Sequence, residues 1–284
     1  MSIYAQLLKN AVSGFESKGV EDARNNAREL LAKALGCSCR DAAFEQRLSE
    51  QAQTDAANEF EELCKRRMNG EPLQYLIGEW EFYGLTFKVG RGVLIPRQDT
   101  ETLIDTVLKK ADRDKKVTVV DLCAGSGCIG IVLEKYLNCE KVFAVELSDE
   151  AMAYLEENIR LNKSGVVAVK GDVTDRKTAD ALPMADILVS NPPYLTAQDM
   201  RELQTEVTFE PESALFGGED GLDIYRQILI NFKHRLKQGG LAVFEIGAGM
   251  EEDVMTMLVR HGFENVRAVK DACGIFRCVA GFKK

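Results

Sequence analysis

Along residues 1–70 the apolar side chains recur at three- and four-residue intervals, in IYAQLLKNAV, ARELLAKAL and FEELCKRRM, with no strand-like alternation between them. That spacing places the apolar groups on one face of each helix and predicts a small bundle of about four helices. Gly14, Gly19 and Gly36 punctuate the pieces, as glycines at helix ends do, and Gly70 and Pro72 close the unit. The pattern then changes. GEWEFYGLTFKVG over 78–90 is aromatic and β-branched around Gly84, which predicts a β-hairpin with Trp80 in its core. RGVLIPRQDTE over 91–101 reads as a loop, with Asp99 or Thr100 capping a helix over TLIDTVLKK.

From residue 117 short apolar runs alternate with amphipathic ones. VTVVDL (117–122), VFAVEL (142–147), VVAVK (166–170), ADILVS (185–190), LAVFEIG (241–247) and two runs near 266–270 and 275–280 read as strands. CIGIVLEKYL and EAMAYLEENIRLN read as helices between them. Such alternation predicts an α/β fold with an open, mostly parallel sheet and helices on both faces. The expected divisions are an N-terminal helical domain over 1–70, a hairpin linker over 71–100 and the α/β domain over 101–284.

Composition narrows the classes. With 284 residues, 45% hydrophobic and 29% charged, the chain is long enough for one large domain and a smaller one. The net charge of -9 argues against broad phosphate neutralisation, so no direct nucleic-acid partner is expected. Eight cysteines stand at 37, 39, 64, 123, 128, 139, 273 and 278 without a C-x-x-C pair, and the histidines are His234 and His261. No metal site is expected from that spacing. The thiols lie in core-like apolar runs, as free cysteines do in a reducing compartment. MSIYAQLLKN has no signal-peptide core, and no run of 18 apolar residues occurs. The expectation is a cytoplasmic monomer without membrane contact.

The candidate chemistry lies at the ends of the strands. Asp121-Leu122-Cys123-Ala124-Gly125-Ser126-Gly127 joins the first strand of the α/β region to its helix, and Gly125, Gly127 and Gly130 satisfy G-x-G-x-x-G. Glu146 ends the next strand, where a carboxylate can accept hydrogen bonds from a ribose hydroxyl pair. Asp121 at the strand tip would repel a diphosphate but suits an ammonium or sulfonium compound. S-adenosylmethionine is therefore favoured over NAD. Asp172 and Val173, after the third strand, are placed to accept from an adenine amine and to cover its ring. Ser190-Asn191-Pro192-Pro193-Tyr194 follows the fourth strand. A planar NH2 group has two N–H donors and a poorly nucleophilic nitrogen. The Asn191 side-chain oxygen and the Pro192 carbonyl can accept both N–H groups and stabilise charge developing on that nitrogen, with Tyr194 packed on the flat group. Arg97 is a candidate to bracket the site, Glu245 reads as a structural hydrogen-bonding group, and His234 reads as solvated on a charged helix face.

These stretches carry a resemblance. VVDLCAGSG, Glu146, Gly171-Asp172 and NPPY resemble class I S-adenosylmethionine-dependent methyltransferases. The whole chain resembles, more narrowly, the peptide chain release factor glutamine N5-methyltransferases (the PrmC/HemK family). EPLQYLIGEWEFYGLTFKVGRGVLIPRQDTE (71–101), VSNPPYL (189–195), EPESALFGGEDGLDIYRQI (210–228) and FEIG (244–247) carry it. The resemblance implies methylation of the glutamine amide in the Gly-Gly-Gln loop of bacterial class 1 release factors; that residues 1–70 dock the release factor is a separate hypothesis. The resemblance also implies cofactor contacts at 123–127, Glu146, Val173 and Asn191, and a substrate site from Asn191 through Tyr194. Cys123 departs from the usual glycine, Glu146 from the common aspartate, and Val173 from the aromatic of some relatives. The alternatives are an adenine-N6 methyltransferase acting on DNA or RNA, which presents a similar NH2 group, an NAD-dependent dehydrogenase, and a binding-only adaptor.

Overall fold

The computed structural model describes residues 3–37, 50–112 and 114–284. The expectation of about four helices before residue 70 therefore falls partly outside the described residues. The chain divides into two compact units, Met1–Glu79 with Gln204–Phe209, and Trp80–Leu203 with Glu210–Lys284.

In the first unit α1 (Ile3–Ser17), α2 (Ala23–Ala34), α3 (Glu50–Met68) and the short α4 (Leu73–Ile77) share one core. Tyr4, Phe15, Leu30, Leu31 and Phe60 are its large, fully enclosed members. Their three- and four-residue spacing turns one stripe of each helix inward. A buried cation also organises the unit. The Arg67 guanidinium donates to Asn26 Oδ1 at 2.7 Å and to the Glu71 carbonyl at 3.2 Å, and pairs with Glu206. That ion pair ties the segment 204–209 to α3 inside this unit. Arg67 is the enclosed partner, at 4% exposure against 46% for Glu206.

The second unit begins with a hairpin of β1 (Glu79–Phe82) and β2 (Leu85–Lys88). Tyr83 and Gly84 at its turn have φ of 51° and 73°, the left-handed pair that a two-residue hairpin turn demands. Phe82 and Phe87 fill the hairpin core with ring centroids 6.2 Å apart. Trp80 shares the inward face of β1 with Phe82 but is only half-buried, whereas Phe82 is buried.

The main sheet holds β3 (Val117–Leu122), β4 (Cys139–Glu146), β5 (Val167–Lys170), β6 (Ala185–Ser190), β7 (Leu236–Glu245), β8 (Phe263–Lys270) and β9 (Phe276–Lys283), in the order β5-β4-β3-β6-β7-β9-β8. The first five run parallel, and β9 is antiparallel to both β7 and β8. All six residues of β3 are buried, as a central parallel strand covered on both faces requires. Around the sheet lie α5 (Glu101–Lys110), α6 (Cys128–Tyr136), α7 (Asp149–Leu161), α8 (Arg176–Asp180), α9 (Asp223–Phe232) and α10 (Glu251–Arg260). Two hydrophobic clusters result, one containing Leu103, Ile131 and Leu155, the other Tyr225, Phe232 and Phe244. The sheet is thus open and mostly parallel with flanking helices, as the sequence predicts. Its strand order reverses at β3, whose neighbours are β4 and β6. Such switch points open a crevice beyond the carboxyl ends of the strands.

One sequence expectation is corrected. His234 lies in a short 3-10 turn, not on a solvated helix face, and its Nε2 stands 2.8 Å from Asp180 Oδ1. Arg235 binds the same carboxylate at 3.0 Å. Among the described residues no helix is long and apolar enough to cross a membrane, and no group of three His, Cys, Asp or Glu is placed to hold a metal ion.

Candidate active site

Register sets the geometry. Leu122 at the end of β3 pairs with Val145 of β4 and Ser190 of β6, and the Ser190 hydroxyl donates to the Leu122 carbonyl at 2.7 Å. The loops leaving β3, β4 and β6 therefore emerge side by side. A cavity with about 1210 Å³ of empty space, counting its open mouth, lies over them. Its wall includes Cys123, Ala124, Gly125, Ser126, Glu146, Asp172, Val173, Asn191 and Pro193. Thr100 and Arg97 also reach it. Asp121, Gly127, Pro192 and Tyr194 are not part of that wall.

The β3–α6 loop is built for close backbone approach. Gly125 and Gly127 have φ of 55° and 80°, and Cys123 adopts φ 58°. Cys123 thus holds the left-handed conformation that a glycine adopts freely, at a cost of roughly 1–2 kcal/mol. At Gly127 a Cβ would lie 2.3 Å from Leu155 Cδ1, so this glycine admits the packing of α7. At Gly125 a Cβ would meet only Val93 Cγ2 at 3.9 Å, so the space before it is left to a ligand.

Three polar side chains fix the loop. Glu146 Oε2 accepts from Gly125 N–H at 2.8 Å and Oε1 from Ser148 N–H at 2.7 Å. A carboxylate has about four acceptor sites, so further lone pairs remain for a diol. Asn158, fully buried in α7, donates to the Ser126 carbonyl at 3.0 Å and the Lys88 carbonyl at 3.1 Å, and accepts from Lys88 N–H at 2.6 Å. It bolts the loop to β2. Asp121 is wholly buried beneath the loop, where Oδ2 accepts from Gly130 N–H at 2.9 Å and Oδ1 has no partner. Burial pushes its carboxyl up to about 8 despite that bond, with Glu146 adding to the rise.

Asp172 Oδ1 accepts from Thr174 N–H at 2.7 Å, which caps the turn after β5. Asn231 of α9 donates to the Val173 and Thr174 carbonyls at 3.2 and 2.9 Å, holding this wall in place. The groups present fit the cofactor expected from the sequence: the remaining Glu146 lone pairs suit a diol, and the glycine cradle suits the close approach of a nucleoside.

Asn191 continues β6, and its Nδ2 lies 3.5 Å from Thr100 Oγ1. Pro192 is buried. The half-buried Tyr194 ring packs beside Gly247 and Met250, where a Cβ on Gly247 would come within 3.1 Å of it. Burial pushes its hydroxyl up to about 12, assisted by the nearby Glu245 charge. The 215–221 loop wraps this turn. Leu195 N–H donates to the Leu215 carbonyl and Gly217 N–H to the Leu195 carbonyl, at 2.8 and 2.9 Å. A Cβ at Gly217 would lie 2.7 Å from Tyr194 Cα, and one at Gly221 would lie 2.3 Å from the Tyr194 carbonyl oxygen. Those glycines are the physical content of FGGEDGL, which motif reasoning alone does not expose.

At the mouth, Arg97 pairs with the buried Glu210, and Arg277 bridges Asp99 and Asp271 at 2.9 and 3.0 Å. Glu245 is 2% exposed at the tip of β7, and its Oε2 is without a partner. Burial raises its carboxyl to about 7, against the lowering effects of Thr100, Arg277 and Arg97.

Comparison with known proteins follows these features. Residues 6–78 match the family model of the PrmC N-terminal domain, and residues 99–207 match the TRM5/TYW2 methyltransferase domain. A release factor glutamine methyltransferase of Thermodesulfovibrio yellowstonii is 39% identical over 81% of this chain and 81% of its own length. One of Moorella thermoacetica is 37% identical over 98% of both chains. Among solved structures, a methyltransferase from Pyrococcus furiosus superposes with a TM-score of 0.53 at 20% identity, covering 71% of this chain and 90% of its own, and shares the fold.

Proposed function

Since this chain belongs to the release factor glutamine methyltransferase family, we propose that its cavity N-methylates the side-chain amide of the Gly-Gly-Gln glutamine of peptide chain release factors. The observation that carries this reading is the shared cavity: Asn191 faces the same space as Gly125 and Glu146. When bound, S-adenosylmethionine supplies an electrophilic methyl group on a positively charged sulfur.

The chain's own residues then have distinct tasks. Glu146 offers its remaining lone pairs to the ribose hydroxyls. Asp172 accepts from the adenine amine, and Val173 covers the ring. Cys123, Ala124, Gly125 and Ser126 pass their backbone close to the ligand, Gly127 opens α6, and Asp121, buried beneath the loop, holds the start of α6 through the Gly130 N–H. The Asn191 oxygen and the Pro192 carbonyl accept the two N–H groups of the substrate amide. That fixes the nitrogen in line and stabilises the positive charge it acquires. Once charged, the nitrogen is acidic enough to lose its proton without a dedicated base. Pro193 contributes to the wall, and Tyr194, standing behind it against Gly247, keeps the turn in place for the flat substrate group. Residues 1–70, of which 6–78 match the PrmC N-terminal domain model, would dock the body of the release factor.

The test supplies methyl-labelled S-adenosylmethionine with a release factor and with its Gly-Gly-Gln→Gly-Gly-Ala variant. Label in the first and none in the second is expected. Equal label in both, or label in DNA or RNA instead, would overturn the reading. The docking role is tested by reversing exposed charges on α1. Loss of kcat/KM for the whole release factor with an unchanged short Gly-Gly-Gln peptide is expected, and equal losses refute it.

A further inference from the structure

After the Asn-Pro-Pro-Tyr turn the chain makes an excursion through residues 196–209 and returns at Glu210, and Pro211, Ser213 and Ala214 then line the cavity. The return is pinned at both ends. Glu210 accepts from the Ile95 N–H at 3.3 Å and pairs with Arg97, while Leu215 and Gly217 are bonded to Leu195. Midway, residues 204–209 belong to the helical unit. Their seat there is specific. Arg67 is enclosed, and two of its acceptors, Asn26 Oδ1 and the Glu71 carbonyl, are neutral. The Glu71 carboxylate is engaged by Arg66 at 2.8 and 2.7 Å. Glu206 therefore supplies the counter-charge for a guanidinium that burial would otherwise penalise. Beside the pair, Gly70 has φ 90°, and a Cβ there would lie 2.5 Å from Thr205 Cγ2 and 3.7 Å from Phe209 Cε2. The glycine thus leaves room for the strap 204–209.

We propose that Arg67 and Glu206 are positioning residues for methyl transfer: their pairing holds the strap 204–209, and the strap sets where the wall segment 211–214 stands beside the substrate turn. This rests on the reading of that turn as the site of the substrate amide. Neither residue lines the cavity, so both act through the chain. Little slack lies between them and the wall. Val207 and Thr208 N–H donate to the Gln204 carbonyl at 2.9 and 3.3 Å, and Phe209 N–H donates to the Glu206 carbonyl at 3.2 Å. The Thr208 hydroxyl donates to the Thr205 carbonyl at 2.6 Å. A shift at Glu206 is passed along this tight turn to Glu210 and Pro211 rather than absorbed by loose chain. The wall run lies against the substrate turn, where a Cβ on Gly217 would come within 2.6 Å of the Pro193 carbonyl oxygen. Glu146 and Gly125 stand on other loops, so the cofactor contacts are left as they are.

The experiment compares Glu206→Ala, which frees the strap, with Glu206→Gln, whose oxygen still accepts from Arg67. Each full-length variant is assayed with a short Gly-Gly-Gln peptide and with a whole release factor. Binding of S-adenosylmethionine is measured calorimetrically, and hydrogen exchange is followed at the amides of 210–217. We expect kcat/KM for the short peptide to fall about 10- to 100-fold in Glu206→Ala, the scale of a small misplacement made far from the chemistry. The whole release factor should lose the same factor, and the Kd for S-adenosylmethionine should stay within about twofold of native. Exchange at Ala214, Leu215 and Phe216 should quicken. Glu206→Gln should keep the peptide kcat/KM within about threefold of native. A native peptide kcat/KM in Glu206→Ala overturns the proposal, as does a loss confined to the whole release factor, which would place the effect in docking. Unchanged exchange at 210–217, or a glutamine variant as slow as the alanine one, overturns it too. If Glu206→Ala does not fold, Thr205→Leu, which crowds the strap against Gly70 and leaves the ion pair in place, carries the same expectations. The native enzyme run alongside separates the two claims. Its failure to label the peptide and the release factor overturns the functional reading, whereas normal native transfer with an unimpaired Glu206→Ala overturns only the positioning role.

Discussion

Replacing Glu146 with glutamine changes one atom and tests the cofactor loop directly. Both carboxylate oxygens accept backbone N–H groups, Gly125 at 2.8 Å and Ser148 at 2.7 Å, and the side chain is 8% exposed. In Glu146→Gln one of those positions becomes an NH2 group facing an N–H. One charge-assisted hydrogen bond, worth about 1.5–3 kcal/mol, is lost, and a donor is left without an acceptor. The same change removes the negative charge from the lone pairs offered to the ribose. If that costs a similar about 1.5–3 kcal/mol in binding, the Kd for S-adenosylmethionine rises on the order of 10- to 100-fold at about 1.4 kcal/mol per decade. Isothermal titration gives the Kd, and thermal unfolding of the ligand-free protein gives the loop penalty. Hydrogen exchange at Gly125 and Ser148 identifies which amide was released. A folded Glu146→Gln protein with a Kd within twofold of native would refute the assignment of Glu146 to the cofactor.

Two further predictions concern buried side chains of the same unit. Asp121 has its folded value raised from 3.8 to about 8 by burial, so the fold favours the protonated form. Its contribution is intact below about pH 4 and is lost as pH rises through about 8. Asp121→Asn should therefore gain in melting temperature relative to native protein between pH 5 and 8.5, and a pH-independent difference refutes this. Asn158→Ala removes three hydrogen bonds between α7, the cofactor loop and β2. At about 1 kcal/mol per bond plus unsatisfied buried partners, a loss on the order of 3–5 kcal/mol is expected in chemical denaturation, and a loss below 1 kcal/mol would show that water replaces the bonds.

What the sequence disclosed was local. Apolar runs such as VTVVDL and ADILVS lie buried on both faces, so composition alone marks them as parallel strands. Turn chemistry likewise marked the β3–α6 loop, where left-handed backbone needs glycine. What stayed hidden depends on partners far along the chain. Nothing in FRCVAGFK says that β9 inserts between β7 and β8. Arg67 and Glu206 carry no motif, yet their pairing ties 204–209 to the helical unit. Asn158 looks like an ordinary polar residue of an amphipathic helix until its three bonds are seen. His234 reads as solvated in the sequence because its partner, Asp180, is supplied by α8 rather than by its own segment. At the site, the location of Asn191 follows from strand order, but its approach to Thr100 does not.

The central claim is that the Asn191 oxygen meets the substrate nitrogen. A crystal structure of the protein with S-adenosylhomocysteine and a release factor measures it as one distance, from Asn191 Oδ1 to the glutamine amide nitrogen. The account predicts about 2.7–3.1 Å, with Nδ2 turned toward Thr100. A glutamine amide seated elsewhere in the cavity, or Nδ2 rather than Oδ1 facing it, would contradict the account.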